Sequence, residues 1–575
     1  MSCSNSFRFL RPYLCRNLPA ARKSAYLRFF STTKCRLDEH GIKSDGGLKH
    51  KSVPDPDRAE RLESAGLLKW PRIQRDVDAI SAKEFNRRYK SLNPKETSEN
   101  NVIVRGRVAK VRLLGKGLAF LDIVEDGYTV QGMLNLKALE ASSPTAEKDF
   151  ERLRYICRVG DIVSLRGRPY MPARTKSPSI NCDGIPQFLS PTLHITPDTI
   201  QDKEALIRNR HLDLLVNAKS AQVVRARSYI IQAIRAFLLN DDFIEVQTPM
   251  IADTAGGAVA KSFKTYATEF PDKELALRIA PELWLKRLII GGMARVFEIG
   301  PAFRNEGIDA THNPEFTTCE FYKSFADLEQ LIEMTEHMIA GIATRLTSLR
   351  ASSLSVLPEI PASLHMGTFQ RIEFIPAIEE GLGEKLPDLA ADDATSKLIS
   401  LFDKHSIPTP SSPTLPRLLD KLGTTYIEPQ CEAPTFIMYH PACMAPLAKS
   451  FHHPGINQNV SARAELFIQQ REIANMYEEE NSPIEQRTKM ELQARYRDAE
   501  NDAHVDQGYI EALEWGLPPT GGWGCGVDRL VMLFTGCTRI ADVLPFGNLR
   551  NVVNLGSPAP RTSTSKSSLT ETMKG

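Results

Sequence analysis

Ten residues near the C-terminal end constrain the fold more than any others: Arg471-Glu472-Ile473-Ala474-Asn475-Met476-Tyr477-Glu478-Glu479-Glu480. The run has the apolar alternation of a half-buried strand, yet four glutamates stand in it. Period-two alternation puts Asn475, Tyr477 and Glu479 on one face. A carboxylate lining a cleft needs a positive partner, because an unpaired buried charge is expensive. A metal ion, an ammonium ligand or a neighbouring Arg each meets that need. Which of them does so decides what the chain is for.

At 575 residues the chain is too long for one core, so two or more domains are expected. It is 42% hydrophobic and 25% charged, an ordinary globular composition, and no apolar run is long enough to span a bilayer. Residues 1–36 differ: eight basic side chains (Arg8, Arg11, Arg16, Arg22, Lys23, Arg28, Lys34, Arg36) and no acid. That composition fits a mitochondrial transit peptide, and Pro12, Arg16 and Pro19 interrupt the apolar centre a secretory signal needs. A basic arm for nucleic acid is the other reading of the same residues. The whole chain carries +2, and without those eight charges it carries −6. Nucleic-acid binding then has to come from local patches rather than global charge. Three of the ten cysteines lie in the leader, and the other seven show no Cys-x-x-Cys pair, so they read as reduced structural thiols.

Residues 37–97 form a polar, proline-broken extension. Residues 98–195 turn to short β-branched runs separated by Gly and charge, with 14 basic and 8 acidic residues over 101–180. This predicts a small basic β-barrel of the OB type, suited to a nucleic-acid strand, although a merely solvated β-domain has the same composition. A polar helical hinge is expected over 196–222, a larger mixed domain over 223–550, and a loose tail over 551–575.

Three separated segments of the large domain carry chemistry. A helix over 222–239 runs into Asp242-Phe243-Ile244-Glu245-Val246-Gln247-Thr248-Pro249. Next, Phe303-Arg304-Asn305-Glu306 and Glu315-Phe316-Thr317-Thr318-Cys319-Glu320-Phe321-Tyr322 read as two antiparallel strands around a loop with His312. An Arg, a His and an aromatic ring together suit a nucleotide. Last, Gly521-Gly522-Trp523-Gly524-Cys525-Gly526-Val527-Asp528-Arg529 lets backbone approach a ligand closely and delivers Arg529 as a helix begins.

In this order and spacing the three segments resemble the motifs of class II aminoacyl-tRNA synthetases, over about residues 98–545. Within that class the chain is most similar to the lysyl-tRNA synthetase subfamily, whose hinge Asp202 to Leu214 resembles, with His211 where Tyr is usual. The resemblance implies an α+β fold, a class II antiparallel sheet with helices behind an N-terminal OB barrel. It also implies ATP and L-lysine as substrates, Mg²⁺, tRNA(Lys), a homodimer, and, with the leader, the mitochondrial matrix.

Charge logic favours lysine over aspartate or asparagine. An ε-ammonium calls for carboxylates, and Glu282 in Ala280-Pro281-Glu282-Leu283 stands where aspartate enzymes resemble Pro-Gln-Leu. A helix Glu paired with Lys286 one turn on is the plain reading of Glu282 alone. By resemblance, Glu282 and Glu479 hold the ε-ammonium, Tyr322, Asn475 and Tyr477 line the pocket, and Glu320 with Gly256 meets the α-amino group. Arg304 bridges the lysine carboxylate and the α-phosphate, Glu306 and His312 contact the nucleotide, and Phe316 and Arg529 sandwich adenine. If Gln469-Gln470 forms a two-residue turn, Phe467 faces Glu472 with Glu465 on a diagonal, a spacing at which two carboxylates can share Mg²⁺ with ATP. Glu480 is expected to face solvent. In the barrel, Arg112, Phe120 and Gln131 match anticodon-reading positions; a barrel-core ring is the plain reading of Phe120. An aspartyl or asparaginyl enzyme, a relative that lysylates protein, and a catalytically inactive RNA-binding paralogue are the competing readings. Glu282 with Glu479, the barrel, and the retention of Arg304, Arg529 and Glu472 argue against them in turn.

Overall fold

The computed structural model describes residue 55 and residues 57–553, apart from 142, 175–176, 203–205, 207, 254–255, 258–259 and 497–504. The expected leader, the start of the extension and nearly all of the expected tail lie outside the described residues. Helices α1 (Arg58–Ser64) and α2 (Ala82–Tyr89) come first. Strands β1 (Val102–Leu114), β2 (Leu118–Glu125) and β3 (Tyr128–Asn135) follow, then helix α3 (Ala146–Ile156) and strands β4 (Ile162–Tyr170), β5 (Ser179–Cys182) and β6 (Gln187–Ser190). The order is β1-β2-β3-β5-β4, and β1 pairs with β4 as well as β2, so five strands close into a barrel of OB type. Alternation is strict in β2: Ala119, Leu121 and Ile123 are buried, while Phe120 and Asp122 point the other way.

The extension is part of this body. Leu62, Ala82, Phe85 and Tyr89 join the barrel core. Arg58, 1% exposed, is ion-paired at 2.9 Å with the buried Asp161, which also accepts the N–H groups of Arg158 and Thr192. A buried charge that is fully partnered in this way ties α1 to the barrel.

The large body begins with α4 (Ala218–Asn240), which turns through Asp242 at φ 58° into β7 (Ile244–Glu245). Asp tolerates the left-handed backbone there. Strands β8 (Ile251–Ala252), β9 (Lys264–Ala267) and β10 (Phe270–Leu277) make a small separate sheet. Then come α5 (Glu282–Ile290), β11 (Arg295–Phe303), β12 (Glu315–Ser324) and α6 (Leu328–Arg350). Strands β13 (Gln370–Glu373) and β14 (Thr435–Met438) flank three helices, α7 (Phe374–Leu382), α8 (Ala394–Lys404) and α9 (Leu415–Tyr426), which share their own core. The hairpin β15 (Ser450–His453) and β16 (Gln458–Ser461) precedes β17 (Arg463–Ile468) and β18 (Arg471–Glu478). Helix α10 (Gln507–Leu513), β19 (Thr520–Gly526) and α11 (Val527–Thr535) follow.

One sheet organises this body, in the order β13-β14-β17-β18-β19-β12-β11-β7. Its six middle strands are antiparallel, with a parallel strand added at each edge. Ile230, Ile234, Leu331, Ile339 and Val531 of α4, α6 and α11 cover one face, meeting Phe321, Ala474, Met476 and Trp523. The other face holds the cleft. In the segment read as a hinge, buried Arg210 pairs with Asp213 and donates to the carbonyls of Asp542 and Pro545, each at 3.1 Å. The segment is thereby fastened to the C-terminal end of the body.

Candidate active site

The acidic strand is placed by its hairpin. Gln469 and Gln470 have φ of 52° and 60°, the pair of left-handed residues that a type I′ turn requires. Phe467 then pairs with Glu472, as the two-residue turn predicts, but Glu465 pairs with Asn475 because the register slips between them. That slip is a β-bulge, and it matters. Strict alternation sends Glu472 to the face opposite Asn475 and Tyr477. The extra residue, with Ile473 and Ala474 both buried, re-aims Glu472 so that all three line one cleft.

The cleft, about 500 Å³, gathers side chains from all three sequence segments. Gly256, Glu282, Arg304, Glu306, His312, Phe316, Glu320, Tyr322, Glu472, Asn475, Tyr477 and Arg529 line it. Two residues of the expected set do not. Glu479 is buried beneath the cleft, and Glu465 lines an adjoining cavity of about 290 Å³ with His440 and Asp420.

At one end the chemistry is acidic. Glu282 Oε1 accepts hydrogen bonds from Tyr477 Oη and Lys286 Nζ, each at 2.7 Å. Lys286 also ion-pairs with Glu479 and is fully buried. The helix pairing of Glu282 with Lys286 therefore exists, inside the protein rather than on its surface. Glu479 Oε1 is buried with no hydrogen-bond partner among the described residues. Burial pushes the Glu479 carboxyl well up, Lys286 pulls it down and Glu282 adds to the rise. A Cβ on Gly522 would lie 1.9 Å from Glu479 Oε1 and 2.7 Å from the Tyr322 ring, so the Gly-rich strand is a close-approach device. Glu320, which accepts from Tyr322 Oη at 3.4 Å, is pushed up to about 8 by burial and by Glu282.

The middle of the cleft holds Arg304, whose Nε is buried without a partner among the described residues and whose guanidinium lies 5.1 Å from the Phe316 ring centre. Farther along, His312 Nδ1 sits 2.8 Å from Asp309, and Nε2 is 2.9 Å from Arg529 Nη2. A guanidinium only donates, so Nε2 accepts and Nδ1 carries the proton toward Asp309. Burial opposes charge on Asp309, but the N–H groups of Thr311 and His312 and the His312 ring hold it at about 2. Arg529 Nη1 also reaches the Glu472 carboxylate at 3.3 Å. Despite its burial, Glu465 is held at about 2 by Arg463 and His440. Glu472 is raised by burial and by Glu465, a local excess of negative charge. Among the described residues no group of three or more His, Cys, Asp or Glu is arranged to hold a metal.

Several residues given no part in the site by the sequence reading hold this geometry. Asp528 ion-pairs with Arg227 of α4 and accepts the Thr317 N–H at 2.8 Å, so one carboxylate joins the three segments. Its place beside Arg529 at the helix start was the available signal. Arg463 donates to Asn475 Oδ1 at 3.1 Å and pairs with Glu465. Buried Arg278 pairs at 2.6 Å with Glu298, which accepts the Thr248 hydroxyl at 2.7 Å. Glu480, expected in solvent, is buried and paired with Lys449 at 3.1 Å and Lys489 at 2.6 Å. The strand has ended by then, so alternation no longer decides where that side chain goes.

On the barrel, Arg112, Phe120 and Gln131 share one surface. Arg112 donates to Asp122 at 3.0 Å, Gln131 donates to the same carboxylate at 2.7 Å, and the Arg112 guanidinium lies 5.7 Å from the Phe120 ring centre. Phe120 is thus outside the barrel core.

An antiparallel sheet that presents an Arg, a His and a Gly-rich helix start around one cleft, behind an OB barrel, is the architecture of a class II tRNA synthetase. Residues 202–550 match the family model of tRNA synthetases class II (D, K and N), more than half of the chain, and the chain belongs to that family. It is 37% identical over 506 residues to the mitochondrial lysine–tRNA ligase of Schizosaccharomyces pombe, covering 86% of this chain and 93% of that one. The mitochondrial lysine–tRNA ligase of Saccharomyces cerevisiae is 32% identical over 507 residues, 82% and 87% of the two chains. The lysine–tRNA ligase of Listeria monocytogenes is 34% identical over 512 residues, 88% and 98%.

Proposed function

We propose that this protein is a lysine–tRNA ligase: it activates L-lysine with ATP and passes the lysyl group to the 3′ end of tRNA(Lys). The observation that carries the amino-acid assignment is the acidic end of the cleft, where Glu282 lines the wall and Glu479 lies buried beneath it with an Oε1 that has no hydrogen-bond partner among the described residues. Carboxylates so placed are satisfied by a substrate ammonium, and an acidic or neutral side chain leaves them unpaired. With Glu282 and Glu479 at the ε-ammonium, the α-amino group falls to Glu320 and the Gly256 loop, and Tyr322, Asn475 and Tyr477 wall the side chain.

The lysine carboxylate is already a nucleophile, so its attack on the α-phosphate, with release of pyrophosphate, needs positioning and charge neutralisation rather than a base. Arg304, without an anionic partner among the described residues, suits the point where carboxylate meets phosphate. Glu306 and the His312–Arg529 pair face the nucleotide, with Phe316 stacking on adenine. Glu472 and Glu465 would hold Mg²⁺. The excess negative charge where Glu472 is raised by Glu465 fits a cation, and Mg²⁺ held by the two would supply neutralisation of phosphate charge. The barrel surface of Arg112, Phe120 and Gln131 offers stacking and edge hydrogen bonds to anticodon bases. The mitochondrial relatives and the basic leader together support the mitochondrial matrix, and a homodimer follows the family habit.

ATP–pyrophosphate exchange with each amino acid tests the assignment: exchange is expected with lysine alone, and its absence sinks the proposal. Glu479→Gln is expected to lower kcat/KM for lysine by about 100-fold, as for an unpaired buried charge. An undiminished preference for lysine in that variant removes Glu479 from the pocket.

A further inference from the structure

Lys286 is the most unusual charged residue near the cleft. It is fully buried, does not line the cleft, and contributes nothing to the reaction described above. Its Nζ lies 2.7 Å from Glu282 Oε1 and is ion-paired with Glu479, the two carboxylates assigned to the substrate. Three rings surround it, with Nζ 6.0 Å from the centre of Tyr322, 5.8 Å from Tyr477 and 5.7 Å from Tyr509. The groups that face the ammonium are Glu282 from α5, Tyr322 from β12, Tyr477 from β18, Glu479 just past its end and Tyr509 from α10, while Glu320 of β12 bears on Glu479.

The charges count simply. Two carboxylates and one ammonium leave one negative charge, and one substrate ammonium cancels it. Two carboxylates buried together without a cation do not both stay ionised; they share a proton. A proton held in that way leaves as pH rises, whereas a lysine ammonium between two carboxylates does not. Burial and Glu282 already push Glu479 upward, with Lys286 the opposing influence.

We propose that Lys286 is a positioning residue that sets amino-acid specificity: held between Glu282 and Glu479, it fixes the pocket at one net negative charge, the complement of one ε-ammonium. The inference rests on the lysine reading of the site and adds a residue that touches no substrate. A purely structural buried ion pair would show itself in stability alone.

The test is discrimination between lysine and its neutral analogue norleucine, read as the ratio of their kcat/KM values in ATP–pyrophosphate exchange from about pH 6.5 to about pH 8.5. Glu320 meets the α-amino group of both amino acids, so its titration cancels in the ratio. In the wild-type protein the ratio is expected to stay nearly level. In Lys286→Met a shared proton supplies the one net negative charge at neutral pH, and as it leaves a second negative charge appears, so the ratio climbs with pH, by up to about tenfold per unit for one proton. Lys286→Arg is expected to stay level. The double variant Glu282→Gln/Lys286→Met keeps one net negative charge without a proton and is also expected to stay level, and to fold if the single variant does not. A Lys286→Met profile parallel to wild type overturns the proposal. So does a double variant that climbs with pH or fails to fold. Absence of lysine-dependent exchange in the wild-type protein is a different outcome, and it overturns the lysine reading itself.

Discussion

At the scale of single residues, the cleft is built from groups whose interactions are incomplete in a definite sense. Among the described residues Arg304 has a buried Nε without an acceptor, and Glu479 a buried oxygen without a donor. Arg304→Ala is expected to lower kcat for exchange by about 100-fold or more while leaving the melting temperature nearly unchanged, since it removes charge stabilisation and no internal ion pair. Rapid kinetics beside a thermal melt checks this. Glu320 gives a signed pH prediction. Burial, reinforced by Glu282, raises it to about 8, so below that pH it holds a proton. Pairing with the α-ammonium needs the ionised form. The KM for lysine should therefore fall as pH rises toward about 8 and level off above it, and Glu320→Gln should flatten the curve. In the sequence these roles are what the family resemblance implies, and residue type alone states only the charge. Lys286 was legible only as a helix neighbour of Glu282. That its ammonium spans to Glu479, from another element, is a fact of packing.

At the scale of elements, the hairpin of β17 and β18 decides most. The alternation of 471–480 was readable, and so was the turn position, but the bulge was not. A bulge is set by how β18 must fit between β17 and β19, not by any residue in it. Gln469 and Gln470 take left-handed backbone with side chains that pay for it. Replacing them with Asn-Gly is expected to stabilise the protein by about 1 kcal/mol without changing the KM for ATP. Denaturant melts and exchange kinetics check the two halves of that statement, and a changed KM would mean that the turn, and not the bulge, aims Glu472. Glu480 shows the limit of alternation from the other side. Past the strand end, the nearby lysines Lys449 and Lys489 fix its position.

At the scale of the whole molecule, the barrel and the large body make separable demands. Phe120→Ala is expected to raise the KM for tRNA by about tenfold, the worth of one stacked base, and to leave ATP–pyrophosphate exchange untouched. Equal loss in both assays would tie the barrel to amino-acid activation instead. The connection between the bodies is held by specific contacts: Arg225 of α4 pairs at 2.6 Å with Asp126 of the barrel, and Arg210 fastens the linking segment to the C-terminal end. None of these pairs is near in sequence, and no periodicity points to them. The same holds for Asp528, whose one carboxylate joins α4, β12 and the start of α11.

By itself, the sequence determined which chemical groups the site possesses: carboxylates for an ammonium, an arginine for anions, glycines where backbone must come close, and an alternating strand to display them. Charge, ring and missing Cβ belong to a residue wherever it lies. The tertiary structure decided which of these groups meet. It turned Glu472 into the cleft by a bulge, drew Glu465 into the next cavity, sank Glu479 beneath the floor, and set a buried lysine between two carboxylates 197 positions apart. Such juxtapositions are fixed by how eight strands stack and what covers them, and no local pattern in the chain encodes that.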